Sequence, residues 1–108
     1  MHAFDVLGDP VRRRILELLA EGECASGDVV DVISTEFGIG QPAVSMQLRV
    51  LRDNGFATVR AEGRRRLYVI DSAPLAQVDA WLGPFRHFWE QRLDALATEL
   101  RRGRDSEG

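Results

Sequence analysis

The sequence predicts a mainly α-helical fold that carries a two-stranded β wing and ends in a long C-terminal helix. Three observations predict it. Apolar residues recur at steps of three and four along most of the chain, as in helices buried on one face. That period gives way to a β-prone pattern only between residues 56 and 70. Helical spacing then resumes over 72–102 and stays close to a heptad. The length of 108 residues fits one domain, 1–108, with a core region at 10–70.

Residues 3–7 read as a short helix ending at Gly8. Asp9-Pro10 opens the next, with Asp as N-cap and Pro at the first helical position. Val11, Ile15, Leu18 and Leu19 follow at helical spacing, and Gly22 stops the run. Ser26 is the N-cap expected for a third helix, marked by Val29, Val30, Ile33 and Phe37 and ended by Gly38. Gly40-Gln41-Pro42 opens a fourth, whose buried stripe is Val44, Leu48 and Leu51. Gly55 ends it in the left-handed conformation that glycine tolerates. Phe56 to Arg60 and Leu67 to Ile70 read as two strands joined by a loop at Ala61-Glu62-Gly63-Arg64. Asp71 or Ser72 caps the last helix. Gly83-Pro84 is expected to kink or split it, because proline removes an internal hydrogen bond. A disordered tail is expected at 103–108.

Hydrophobic residues make up 44% of the chain and charged residues 29%, which excludes a disordered class. No apolar run approaches the 18 or so residues of a membrane span. The N-terminal MHAFDVLGD lacks the pattern of a signal peptide, and one cysteine, Cys24, can form no internal disulfide. A cytoplasmic protein is expected.

The net charge of −3 hides a segregation. Residues 1–47 balance to −5, 48–66 to +4 and 67–108 to −2, with every cation an arginine. A polyanion site belongs in the central island. Residues 28–55 form a helix, a Gly-containing turn and a second helix, a helix-turn-helix pattern. Opposite the buried stripe, the second helix presents Pro42, Ser45, Met46, Arg49 and Asp53. In such motifs the N-terminal part of this helix meets base edges in the major groove. Gln41 suits adenine, Ser45 a base or phosphate, and Arg49 guanine or phosphate. Arg60, Arg64, Arg65 and Arg66 crowd the hairpin, with Glu62 as the one local counter-charge, and phosphates would relieve their repulsion. A solvated helix face or a solvated loop could carry either set alone. Three helices followed by a two-stranded wing make the winged helix-turn-helix arrangement, which sets the two side by side.

The segments L-G-D-P-V-R-R-R-I-L-E-L-L (7–19), Q-P-A-V-S-M-Q-L-R-V-L-R-D-N-G (41–55) and E-G-R-R-R-L-Y-V-I (62–70) resemble the ArsR-type winged-helix transcriptional repressors. The resemblance runs from about residue 3 to residue 102. The tail W-L-G-P-F-R-H-F-W-E-Q-R-L-D-A-L (81–96) looks like the SdpR-like branch, which lacks the metal-sensing motifs. The family implies a homodimeric repressor on a palindromic DNA operator, often that of its own operon. Family members usually carry a basic residue and a histidine where Met46 and Gln47 stand. Met46 would read by apolar contact, for example with a thymine methyl, and Gln47 replaces a donor. The stretch from Val30 to Pro42 is about three residues longer than the family pattern, nearly one helical turn.

No cofactor or metal is expected, and no enzyme. The metal-sensing relatives use paired cysteines on the third helix or Asp and His pairs on the last. Here Cys24 stands alone, and Asp79, His87 and Glu90 lack ligand spacing. Glu21 and Glu23 would disfavour a Cys24 thiolate. No phosphate-binding glycine loop or paired nucleophile is present. On the last helix Leu75, Val78, Leu82, Phe85, Trp89, Leu93, Leu96 and Leu100 form a near-heptad seam widened by Trp81 and Phe88. With Phe4, Val6 and Leu7 of the first helix it is expected to form a two-fold dimer surface, so that 1–8 and 72–102 are dimerisation helices. The alternatives are a winged-helix module that binds protein and a metal- or redox-gated repressor hinging on Cys24 and His87.

Overall fold

The computed structural model describes residues 1–107, with side chains described for 1–103. The elements run α1 (Ala3–Leu7), α2 (Pro10–Glu21), β1 (Cys24–Ala25), α3 (Ser26–Phe37), α4 (Gln41–Asp53), β2 (Ala57–Glu62), β3 (Arg65–Ile70) and α5 (Ala73–Glu107). Residue 108 and the side chains from 104 lie outside the described residues, and with them most of the tail expected at 103–108.

The helix boundaries follow local chemistry. The Asp9 carboxylate accepts from the amides of Val11 (2.8 Å) and Arg12 (3.2 Å), and Pro10 needs no acceptor at the first position. Gly38 adopts φ 66°, left-handed, and its amide bonds the Ser34 carbonyl. At the end of α4 the Gly55 amide donates to the Arg52 carbonyl and the Phe56 amide to the Leu51 carbonyl, with Gly55 at φ 79°. This is a Schellman closure, and the apolar residue that follows its glycine is Phe56, buried in the core beside Leu51. The Asp71 carboxylate accepts from the Ala73 amide and starts α5.

α2, α3 and α4 pack around Ile15, Leu19, Val29, Ile33, Val44, Leu48 and Leu51, each at most 2% exposed. Phe56, Ala57 and Tyr68 cover this core from the sheet side, and Val6 from α1. Val6 is therefore a core residue and not part of a dimer surface. The turn between α3 and α4 is three residues, Gly38-Ile39-Gly40, so the longer 30–42 stretch does not lengthen it. Ile39 packs against the core and pins the turn.

The structure corrects three sequence expectations. The sheet has three antiparallel strands in the order β1-β3-β2, because Cys24 and Ala25 pair with Tyr68 and Leu67. A two-residue strand is too short to show an alternating pattern. That pairing holds the chain extended through Ala25, so α3 starts at Ser26 with Ala25 in the cap position and no side-chain cap. The hairpin loop narrows from 61–64 to Gly63-Arg64. Gly63 at φ 61° takes the first central position, as two-residue hairpins of type II′ require, and Glu62 faces Arg65. At Gly83-Pro84, where a kink or a split was expected, helical hydrogen bonding runs through and α5 is not split. Proline leaves the Ala80 carbonyl without its helical donor, a defect a long helix can carry.

Two units are distinguished, Met1–Val78 and Asp79–Gly108. In the first, Leu75 and Val78 of α5 pack on the core. In the second, the side chains described are exposed apart from a half-buried Leu82. No helix among the described residues is long and apolar enough to cross a membrane.

Candidate nucleic-acid interface

α4 is amphipathic by construction. Val44, Leu48 and Leu51 step by four and three into the core, which turns Gln41, Pro42, Ser45, Met46, Arg49 and Arg52 outward. Met46 is 64% exposed, an apolar side chain with no core to fill. At the helix start Pro42 has no amide hydrogen, and the amides of Ala43 and Val44 both donate to the Gly40 carbonyl at 3.2 Å. The start of α4 thus offers an anion little beyond the Gln41 N–H.

Gln47 is the exception on this face. It is half-buried, and its side-chain oxygen accepts from Arg12 Nη1 at 2.9 Å. Arg12 also donates through Nε to the Val6 carbonyl (2.7 Å) and through Nη2 to the Asp5 carbonyl (3.0 Å). One guanidinium therefore ties the end of α1 to α4, with its side chain only 12% exposed. The sequence reading did not single out Arg12. A signal existed only in hindsight, since a buried arginine must find several acceptors.

In the wing, Gly63-Arg64 turns the chain and Arg65 and Arg66 start β3, all exposed. The sequence reading saw Glu62 as the sole counter-charge, and the structure adds two more. Arg60 forms a bidentate pair with Glu23, Nη2 to Oε1 at 2.6 Å and Nε to Oε2 at 3.0 Å, and lies 3.5 Å from Glu62. That hydrogen bond holds the Glu23 carboxyl below its ordinary range and raises Arg60. Arg65 lies 3.7 Å from Asp28 at the start of α3, a looser contact. Arg64 and Arg66 form no ion pair among the described residues. Of the four wing arginines, one is clasped, one is loosely paired and two are available.

Arg49 of α4 and Arg66 of β3 come together, lining one cleft beside the first turn of α3. Arg52, three residues beyond Arg49 on the same helix face, joins them, and the sequence reading missed it although the spacing was legible.

The remaining candidates fall out differently. Cys24 is half-buried, and burial followed by the Asp28 charge pushes its thiol up, with Arg65 partly opposing; Glu21 and Glu23 are not the cause. Asp79 pairs with Arg86, and His87 lies 3.2 Å from the Gln91 amide nitrogen. No group of three potential ligands close enough to hold a metal occurs among the described residues. On α5, Phe85, Phe88, Trp89, Leu93, Leu96 and Leu100 are each about half exposed or more, whereas Leu75 and Val78 serve their own core. Trp81 stacks at a tilt on Phe85, with ring centroids 4.8 Å apart. On α1, Phe4 is exposed and stacked on His2, and Leu7 is half-buried against the core.

Residues 9–59 match the family described as bacterial regulatory protein, arsR family. The chain is 34% identical over 106 residues to the HTH-type transcriptional regulator Rv2034 of Mycobacterium tuberculosis, covering 98% of this chain and 89% of that one. It is 27% identical over 81 residues to the transcriptional repressor SdpR of Bacillus subtilis, covering 75% and 86%. Among solved structures it resembles a possible transcriptional regulator for arsenical resistance, with a TM-score of 0.65, 34% identity and coverage of 92% and 96%. It also resembles a homodimeric winged helix-turn-helix DNA-binding domain from Mycobacterium bovis, a possible ArsR-family regulator, with a TM-score of 0.58, 29% identity and coverage of 75% and 77%.

Proposed function

The chain belongs to the arsR family of bacterial regulatory proteins, and on that premise we propose that it is a homodimeric, sequence-specific DNA-binding repressor of its own operon. The observation that carries the reading is a concentration of exposed arginine on α4 and the wing of an otherwise acidic chain. Gln41, Pro42, Ser45, Met46 and Arg49 enter the major groove, Met46 by apolar contact with a thymine methyl. Arg64, Arg65 and Arg66 hold phosphates or the minor groove. Arg60, already clasped by Glu23, mainly braces the wing against the segment after α2. Gln47 acts through Arg12, setting the pose of α4, with only its NH₂ left to reach outward. The acidic remainder limits non-specific binding.

The dimer forms through Leu82, Phe85, Trp89, Leu93 and Leu96 of α5, and exposed Phe4 of α1 adds apolar surface for a partner. A run of exposed apolar side chains this long on one helix marks an interface. The two-fold operation presents two α4 helices to a palindrome whose half-sites lie about 34–36 Å apart, one turn of DNA. The site of action is the chromosome, in the cytoplasm. A footprint on DNA upstream of the protein's own gene, at near-physiological salt, tests the reading. The expected result is one protected palindrome. Binding no tighter there than to random duplex would remove the function.

A further inference from the structure

We propose that Arg12 is a positioning residue that couples the docking of α1 against a second copy of the chain to operator binding by α4. The proposal rests on the reading of the chain as a dimeric operator-binding repressor. It adds to that machinery a residue of α2 that belongs to neither contact surface.

The first observation is how α1 is held. It has five residues, too few to keep a helix by themselves. Ala3 and Val6 are buried, and Leu7 packs partly against the core. The rest of the hold lies at the carbonyl end, where a helix leaves its last acceptors open. Arg12 donates to the carbonyls of Asp5 (3.0 Å) and Val6 (2.7 Å), and Arg13 through Nη1 to that of Leu7 (2.7 Å). Three successive carbonyls of α1 are each taken by a guanidinium from the first turn of α2.

The second observation is where the same Arg12 goes next. Its Nη1 donates to Gln47 Oε1 at 2.9 Å. A guanidinium only donates, so the amide oxygen must face it and the NH₂ must point away. Gln47 stands between Met46, 64% exposed, and Leu48, 2% exposed, where α4 turns from its outer face to the core. If α1 leaves its place, Arg12 loses two acceptors while its side chain is only 12% exposed. A guanidinium short of acceptors in that setting is costly, so docked α1 and anchored Gln47 favour each other. Phe4, 40% exposed on α1, is the side chain offered to the second copy. A partner seated there selects docked α1, and α4 then has less ordering left to undergo on DNA. The coupling is reciprocal, so operator binding tightens the dimer by the same factor.

The test uses the full chain and has two arms. In the first, sedimentation gives the dimer dissociation constant free and with a saturating duplex that carries one half-site. The native protein is expected to dimerise about tenfold more tightly with the duplex. Gln47→Met removes the acceptor at similar volume and is expected to bring that factor close to one. Gln47→Glu keeps an acceptor for Arg12 and is expected to retain it. Because the readout is a ratio, a general loss of stability or of DNA affinity does not move it. A native factor near one, or a native-sized factor in Gln47→Met, overturns the coupling. The second arm needs no DNA. The Gln47 side-chain NH₂ and Arg12 Nε resonances are followed as the protein is diluted through its monomer–dimer midpoint. Both are expected to shift with that midpoint, and in Arg12→Lys, which keeps the charge but not the fork, the Gln47 signal is expected to stay fixed. Signals identical in monomer and dimer overturn the coupling even where an operator is found. Shifts that follow dimerisation in a protein with no specific operator would uphold the link from α1 to α4 and reject the function it was argued to serve.

Discussion

Removing the Arg66 side chain should weaken salt-sensitive DNA binding far more than removing that of Arg60, although both lie on the wing. The reasoning starts from pairing. Arg60 is already neutralised by Glu23 through two hydrogen bonds, of 2.6 and 3.0 Å, so replacing it removes a charge that the protein itself has answered. Arg66 has no carboxylate partner among the described residues and lines the cleft with Arg49 and Arg52. Each phosphate contact adds about 0.9 to the slope of log affinity against log salt. A dimer presents Arg66 twice, so Arg66→Ala is expected to flatten the slope by about 1.8. Between roughly 50 and 200 mM salt, that changes the ratio of native to variant affinity by about tenfold. Arg60→Ala is expected to change the slope by less than half as much. Fluorescence anisotropy on an operator duplex over that salt range measures both. Equal effects of the two substitutions, or an unchanged slope for Arg66→Ala, would refute the argument that internal pairing decides which arginines serve DNA.

Three further outcomes are expected. Arg12→Ala removes the donors that join the Asp5 and Val6 carbonyls to Gln47, and should cost about 2–3 kcal/mol, read as a lower urea midpoint at unchanged m-value. Glu23 and Glu36 have carboxyls held below the ordinary 4.5 by hydrogen bonds from Arg60 and Arg14, so in acid the unfolded chain binds more protons. Their contribution is present above about 4.5 and lost as pH falls through the lower folded values, and the paired Glu23→Gln and Glu36→Gln variant should show a flatter decline of urea midpoint below that pH. Trp89→Glu places a charge on the apolar face of α5 without touching the core, since Trp89 is 52% exposed. It should sediment as a monomer with native helicity and bind operator weakly; an unchanged dimer would exclude that face as the interface.

The local signals that proved readable were those in which chemistry acts over a few residues. Asp9-Pro10 starts α2, Gly38 ends α3, Gly55 closes α4, and the stripe of Val44, Leu48 and Leu51 alone decides which residues of α4 face outward. Sequence by itself therefore determined the order of helices, the wing and the exposed arginine face, because caps, glycine dihedrals and apolar periods depend on near neighbours. Tertiary structure alone decided which of those arginines are spoken for. Glu23 lies 37 positions from Arg60, and Arg12 lies 35 from Gln47, so no local pattern encodes either pairing. β1 escaped for the same reason, since two residues become a strand only when β3 is folded beside them. Charge can be counted along a chain, but whether a charge remains available to a ligand depends on distances that exist only after folding.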